Sequence, residues 1–384
     1  MDKLNSREVQ VTLCEKCNLN CVYCYEHNKD STVMDFELAK KIITGEFLYA
    51  KKHNLGSLKI YFHGGEICLC FNLLKQICEW IWSEKWPVNY ICSATTNGTL
   101  VHGDIQRWFK DNADRFVLSL SLDGNKLMHD MNRNGSYDRI DLDFFYKTWP
   151  WQDVKMTISP STLPYLSEGI IDVAEKGFKM TANLAYGCDW ESDELKYQYA
   201  RELFKLTNYF ISHPALTPPK RLMQKTLTGV GRSVYFNKPF ELRKGCGAGT
   251  HMCCYDMQGR KYPCQMFMPS SLGEKKYEGY AIEESKIEYS SVCKECPIVA
   301  ACPTCIGSNY VQHGELIKKE DSMCDYFQIE IYNYTYFLYK MLQNRDAYQI
   351  TREMDDTSVA FSLKAIVYIQ KQLKAKGISK YCVD

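Results

Sequence analysis

Six times in its first two hundred or so residues, the chain runs a short apolar segment into a loop and then into a helical pattern. Residues 8–14 read as a strand entering a cysteine loop. Asp35 can cap a helix to about residue 53, with Phe36, Leu38, Ile42, Ile43 and Phe47 on one face. Residues 58–62 form an apolar strand ending in His63-Gly64-Gly65-Glu66, and 73–82 have a helical period. Residues 89–95 lead into Thr96-Asn97-Gly98-Thr99, with a short helix near 103–112. Residues 116–122 end in Asp123-Gly124. Two further pairs follow: a strand at 154–158 with a helix at 164–176, and a strand at 179–186 with a helix at 191–212. Strand-then-helix repeats imply a parallel sheet with right-handed crossovers. Six units are too few to close an eight-stranded barrel, so the expected fold is α/β, an open partial (β/α)6 TIM-like barrel. Its chemistry belongs at the C-terminal strand ends, where the cysteine loop, Gly64-Gly65-Glu66, Asn97-Gly98 and Asp123-Gly124 all fall.

The cysteine loop reads Cys17-Asn-Leu-Asn-Cys21-Val-Tyr-Cys24. Three thiolates at this spacing can hold three irons of a cubane and leave the fourth open to a small chelating ligand. Cys14 forms a competing C-x2-C pair with Cys17, and a zinc reading would need a second pair elsewhere.

Net charge is +1 (47 basic, 46 acidic residues), which leaves no electrostatic footprint for nucleic acid or an anionic membrane surface. The first residues carry no apolar run of an export signal, and no stretch approaches a membrane span. The chain reads as cytoplasmic, where 19 cysteines point to metal ligation rather than to disulfides. Cys68, Cys70, Cys78, Cys92, Cys188 and Cys382 read as packing residues.

Pro218-Pro219, Gly229 and Gly231 mark a change of domain. The expected division is a barrel at 1–215, a linker at 216–240, a cysteine-rich domain at 241–327 and C-terminal helices at 328–384. The third part runs Cys246, Gly259 and Cys264, then Cys293-x2-Cys296-x5-Cys302-x2-Cys305, then Cys324. Taken alone, Cys293, Cys296, Cys302 and Cys305 also fit one zinc ribbon. The aromatics of 325–343 read as core, and 358–376 as an amphipathic helix with one solvated face.

Together these motifs resemble the radical S-adenosylmethionine (SAM) superfamily with the C-terminal SPASM extension of its peptide-modifying members. The resemblance covers about residues 8–324. It implies a [4Fe–4S] cluster on Cys17, Cys21 and Cys24 whose open iron is chelated by SAM. SAM would be cleaved reductively to methionine and a 5′-deoxyadenosyl radical that takes a hydrogen atom from substrate. His63-Gly64-Gly65-Glu66 is similar to the element that holds the SAM amino group, although Ile67 stands where the family usually has proline. Asn97, Ser121 and Arg133 are the implied SAM contacts, with Tyr23 packing on adenine. Two auxiliary [4Fe–4S] clusters are implied, one on Cys246, Cys264 and Cys305, the other on Cys293, Cys296, Cys302 and Cys324. The family has three residues before the sixth cysteine, and here there are two, which weakens Cys305. An eighth thiolate would come from Cys253, favoured over Cys254, or be absent. The two alternate across a strand, so only one of them faces a given cluster.

The expected activity is that of a maturase acting on a peptide or protein substrate, forming a thioether or carbon–carbon crosslink or an oxidised side chain. A donor such as flavodoxin or ferredoxin would supply electrons, with neither nucleic acid nor membrane as partner. Gln265 stands where sulfatase-maturing relatives carry an aspartate base, which puts formylglycine formation in doubt. Sixteen residues precede Cys17, too few for a leader-recognition domain. The alternatives are a radical SAM dehydrogenase of a small molecule, a sulfatase-maturase-type oxidation and, from another class, a non-catalytic iron–sulfur electron carrier.

Overall fold

The computed structural model describes residues 5–29, 31–240, 246–283, 287, 289–317 and 322–382. Residues 1–4, where the reading of an absent export signal begins, lie outside that set. Strands β1 (Ser6–Cys14), β2 (Ser57–Gly64), β3 (Asn89–Thr96) and β4 (Phe116–Leu120) pair in parallel in the order β4-β3-β2-β1. Strand β5 (Val154–Ile158) pairs in parallel with β6 (Met180–Leu184). A bridge between Ser121 and Lys155, with Leu122 N–H donating to Lys155 O at 2.9 Å, joins the two groups. The result is the expected open partial barrel. Helices α1 (Phe36–Lys52), α2 (Phe71–Ser83), α3 (Gly103–Asp111), α4 (Lys126–Asn132), α5 (Leu142–Thr148), α6 (Leu166–Glu175) and α7 (Asp193–Ser212) connect the strands and follow the last of them.

Strand alternation decides what each face carries. Val9, Val11, Ile60, Phe62, Cys92, Ala94 and Leu118 are buried in the layer between sheet and helices. Their neighbours Tyr61, His63, Thr95, Thr157, Thr181 and Asn183 line the lumen. Helix α1 starts where its cap predicts, with the Asp35 carboxylate accepting from Leu38 N–H at 3.1 Å.

The cysteine-rich region does not sit apart from the barrel. Strand β7 (Met252–Tyr255) pairs in parallel with β1, setting Val9 against Cys253 and Val11 against Tyr255, and β8 (Lys261–Tyr262) folds back on β7. A buried ion pair fastens this edge. Arg7 Nε donates to Glu46 of α1 at 2.6 Å, and Tyr255 and Lys261 donate to the same carboxylate at 2.6 and 2.7 Å. Burial alone would raise the Glu46 carboxyl, but these donors hold it down at about 2.

The segment expected as a linker, 216–240, is structured. Lys220 N–H donates to Met180 O at 2.8 Å, which lays this stretch along β6. Helix α8 (Thr228–Tyr235) then packs on the C-terminal helix Asp356–Ala375. The prolines and glycines do mark turns, but Leu227 and Val230 between and beside them are buried, and Gly231 lets the two helices touch. In the helix Ser322–Gln343, Tyr326, Phe327, Tyr332, Tyr334 and Phe337 are core, as expected, while Tyr336 and Tyr339 face solvent. No helix among the described residues is long and apolar enough to cross a membrane.

A Cβ on Gly231 would collide with the Phe361 carbonyl, whereas one on Gly229 in the same helix would meet nothing. Gly231→Ala should therefore cost about 1–3 kcal/mol of stability, and Gly229→Ala should be neutral or stabilise by up to about 1 kcal/mol. Urea midpoints of the two variants, each against the parent protein, check this.

Candidate active site

Cys17, Cys21 and Cys24 follow β1 and line a single cavity of about 570 Å³ at the C-terminal mouth of the strands. The loop owes its shape to ties from three sides. Val22 N–H donates to Asn132 O of α4 at 3.0 Å, and Cys24 N–H to Cys21 O at 3.1 Å. Asn97 Nδ2 donates to Asn18 Oδ1 at 2.9 Å, and Asn18 Nδ2 to Thr99 Oγ1 at 2.8 Å. Asn28 N–H donates to Ser270 O at 3.1 Å, fastening the far end to the cysteine-rich region. Burial pushes the Cys17 thiol up and the Cys21 thiol to about 11, so both hold their protons until a metal displaces them.

Gly64 and Gly65 lie against the exit of β1. A Cβ on Gly64 would sit 2.6 Å from Cys14 O, and one on Gly65 would run into the Glu15 and Lys16 carbonyls. Gly65 N–H donates to Cys14 O at 3.1 Å and Glu66 N–H to Lys16 O at 2.8 Å. The Glu66 carboxylate is buried and accepts from Thr96 Oγ1 at 2.7 Å, Asn97 N–H at 2.7 Å and Cys68 N–H at 3.0 Å. A carboxylate has about four lone-pair directions, which leaves one for a further donor.

Asp123 at the end of β4 is fully buried. It accepts from the Tyr23 hydroxyl, from Arg133 Nε at 2.9 Å, from Asn132 Nδ2 at 3.2 Å and from Thr157 N–H at 2.9 Å. Arg133 and Tyr23, the implied SAM contacts, are thus held side by side, with the guanidinium carbon 5.5 Å from the ring centre. Two of the arginine's donor nitrogens serve Asp123. His129 Nδ1 accepts from Asp123 N–H at 3.3 Å, so its proton sits on Nε2 beside Ser136 Oγ at 3.0 Å.

All ten residues expected at this site, Cys17, Cys21, Tyr23, Cys24, Gly64, Gly65, Glu66, Asn97, Ser121 and Arg133, line the same cavity. The donor set suits the implied group. Three thiols share one wall, a carboxylate keeps a lone pair, and two glycines keep side chains out of the space between them. Among the described residues no three His, Cys, Asp or Glu side chains converge closely enough to hold a single metal ion.

In the second half, Cys264 and Cys305 lie within electrostatic reach of each other and of Cys246. Cys302 lies within reach of Cys293, Cys296 and Cys324. Desolvation raises the Cys264, Cys302 and Cys305 thiols, Cys302 to about 12. Cys253 departs from expectation. It faces α1, 3.1 Å from Arg7 and 3.7 Å from Glu46, on the side of β7 away from these thiols. Cys254 is the one that looks toward Cys264, between Thr12 and Met268. The alternation was legible, but its phase was not, because the phase depends on the Arg7–Glu46 pair that draws Cys253 inward. Of the packing cysteines, Cys70 lies 3.1 Å from Cys14.

Sequence reasoning passed over the deeper lining: Tyr61, Gln152, Lys155, Thr181, Asn183 and Arg221. Those on strands occupy the alternate positions to the buried apolar residues, and that alternation was the available signal.

Fold and site are similar to those of radical SAM proteins, and the relatives and solved structures most like this chain include several of that class. Among its relatives is a radical SAM cyclopropyl synthase, TigE, of Paramaledivibacter caminithermalis, 21% identical over 363 residues, 85% of this chain and 73% of that one. A cysteine-type anaerobic sulfatase-maturating enzyme of Clostridium novyi is 29% identical over 140 residues, 32% of this chain and 35% of that one. An uncharacterized Methanocaldococcus jannaschii protein, MJ0907, is 31% identical over 161 residues, 40% of this chain; the chain spans about half (53%) of its length. Among solved structures, native anSMEcpe with bound AdoMet and a Kp18Cys peptide superimposes with a TM-score of 0.65 at 17% identity, covering 88% of this chain and 99% of that one. No family model matches the chain.

Burial holds His129 down at about 4, against an ordinary 6.5. The unfolded chain therefore takes up this proton first as pH falls, and stability is lost from about pH 6.5 down to about pH 4. Between pH 7.5 and 5 the loss due to this group is about 2 kcal/mol. His129→Gln should flatten the pH dependence of the denaturant midpoint by that amount, and an unchanged slope would place the titrating group elsewhere.

Proposed function

We propose that this chain is a radical SAM enzyme that modifies a peptide or protein side chain. The observation that carries the reading is the continuity of one cavity, from the three thiols at the mouth to polar side chains deep in the lumen. Cofactor and substrate can then meet in one space shielded by the barrel. In this reading Cys17, Cys21 and Cys24 hold a [4Fe–4S] cluster with an open iron. The remaining lone pair of Glu66 takes the amino group of SAM, the free donors of Arg133 face its carboxylate, Asn97 and Ser121 line the ribose side, and Tyr23 supports the adenine. The cluster and SAM, when bound, supply reductive cleavage of SAM and hydrogen-atom abstraction from the substrate. The chain itself orients the substrate in the lumen and excludes water from it.

Cys246, Cys264 and Cys305, with Cys254 as the candidate fourth ligand, would hold one auxiliary cluster. Cys293, Cys296, Cys302 and Cys324 would hold the other. These would accept the second electron of an oxidation or bind a substrate thiolate, with a flavodoxin or ferredoxin as donor to the first cluster. A thioether or carbon–carbon crosslink fits better than formylglycine formation. Gln265 lines the cavity, and its side-chain oxygen, buried and without a hydrogen-bond partner, cannot take a proton as a carboxylate would. Two similar solved structures, anSMEcpe with a bound Kp18Cys peptide and Streptococcus suis SuiB bound to its precursor peptide SuiA, support a peptide substrate.

After anaerobic reconstitution the chain should carry about twelve irons and twelve sulfides. Given a strong reductant and SAM it should release methionine and 5′-deoxyadenosine, and Cys21→Ser should abolish both products. Turnover surviving that substitution would overturn the open-cluster assignment. About four irons per chain would remove the auxiliary clusters and with them the main support for a maturase.

A further inference from the structure

The charged groups around the cavity differ in how far they are neutralised. Arg133 is paired with Asp123. Glu26 accepts from, or is charge-paired with, His63 at 2.9 Å. Asp153 is held by Lys220 at 2.9 Å. Glu66 accepts from neutral donors and is the carboxylate assigned to the SAM amino group above, and Lys29 lies against Cys24 and Glu26. Among the described residues lining the cavity, two cations are left with neutral oxygens alone as hydrogen-bond partners. Lys155 Nζ donates to Thr95 Oγ1 at 2.6 Å and to Tyr61 OH at 3.3 Å. Arg221 donates to Asn183 Oδ1 at 3.1 Å. Glu330 is the carboxylate that reaches Arg221 electrostatically, and it is engaged by Lys225 and by Tyr199 at 2.9 Å.

Both cations are exposed and line the cavity, so the water they keep is the water of the lumen. The fold puts them on the same side of the lumen. Lys155 stands opposite Thr181 in the β5–β6 register, and Lys220, next to Arg221, bridges to the same Thr181. Arg221 adopts a left-handed backbone conformation, φ +64°, which is unfavourable for a non-glycine residue and persists only where the surroundings hold it. With Glu66 given to the SAM amino group in the reading above and the other described lumen carboxylates paired, two cations in the lumen attract an anion, and the attraction is strengthened when substrate expels the water.

The geometry points to a carboxylate on the substrate, received by Lys155 and Arg221 on the β5–β6 side of the lumen while the reacting residue faces the thiol loop. The substrate class is then an acidic peptide: one with an aspartate or glutamate side chain, or a free C-terminal carboxylate, close to the modified residue. This inference rests on the peptide-modifying reading above. Arg221 also lies near the Cys305 thiol, so its charge is shared and Lys155 carries more of the recognition.

The test is affinity selection on the reconstituted holoenzyme with SAM, using pools of acetylated, amidated pentapeptides that are random except for a central glutamate or a central glutamine. A third pool has the central glutamine and a free C-terminal acid. Free glutarate serves as the non-peptide probe. The glutamate pool, the free-acid pool or both should be retained about tenfold better than the neutral pool at low salt, and which of them is retained separates a side-chain carboxylate from a terminal one. Lys155→Gln should abolish the preference, Arg221→Gln should reduce it and Lys155→Arg should preserve it. Raising NaCl from 20 to 300 mM should erode it in the parent protein, an arm that stands even if a variant misfolds. Glutarate bound in a Lys155-dependent way, with no peptide pool retained, would uphold the anion site and overturn the peptide reading instead. Equal retention of acidic and neutral pools, a preference that survives both glutamine variants, or no binding of any probe would overturn the inference.

Discussion

The buried carboxylate of Asp123 is the point on which the site depends. It ends β4, receives the Tyr23 hydroxyl from the cysteine loop, Asn132 and Arg133 from α4, and the Thr157 amide from β5. Those donors come from three separate parts of the chain, and Asp123 sits where the six-strand barrel has its weakest join. Between β4 and β5 the sheet keeps only a bridge at Ser121–Lys155. The carboxylate supplies there what a full ladder supplies elsewhere. A charge buried this deeply is stable only because its donors arrive together, and removing one partner of such a pair costs about 3–5 kcal/mol. The same electrostatic need that closes the barrel therefore fixes Tyr23 and Arg133, and through Asn132 the backbone of the cysteine loop at Val22.

The polar lumen follows from strand alternation. A barrel whose inner positions carried Val, Ile and Leu would fill itself with side chains. Here β2, β3, β5 and β6 turn Tyr61, Thr95, Lys155, Thr157, Thr181 and Asn183 inward and leave about 570 Å³ open. Stability must then come from the outer layer, and the aromatic contacts gather there. Phe47 stacks on Trp86 at 4.0 Å, and Phe109 packs on Phe116 at 5.2 Å. Core and function are separated by facing opposite sides of the same strands.

That separation explains what could be read from the sequence. Period-two strands, the Asp35 cap and the turn glycines are local, so β1 to β6 and the helix Phe36–Lys52 were legible to within a few residues. The cysteine loop and the Gly64-Gly65-Glu66 turn were legible because their chemistry is written in adjacent residues. The helices Lys126–Asn132, Leu142–Thr148 and Thr228–Tyr235 were not, since each is too short for a clear period and is held by tertiary contact. The pairing of β7 on β1 was hidden for another reason. It joins residues more than two hundred positions apart, and its register depends on Arg7, an arginine that reads as surface until Glu46 is seen to bury it. Lys155 is exposed, but to the lumen.

The paired glycines show how one motif answers two demands. By sequence, Gly64 and Gly65 let a ligand approach the backbone. In the fold, the atoms a side chain there would strike are the carbonyls of Cys14, Glu15 and Lys16, where the cysteine loop leaves β1. The glycines thus set the distance between the Glu66 turn and the thiol loop before any ligand arrives. The cradle is built from backbone, which cannot change rotamer, so the spacing between carboxylate and thiols is as rigid as the β1–β2 ladder beneath it. A ligand that bridges Glu66 and the thiols meets a gap already fixed, and the entropy of ordering that gap has been met by the folding of the barrel.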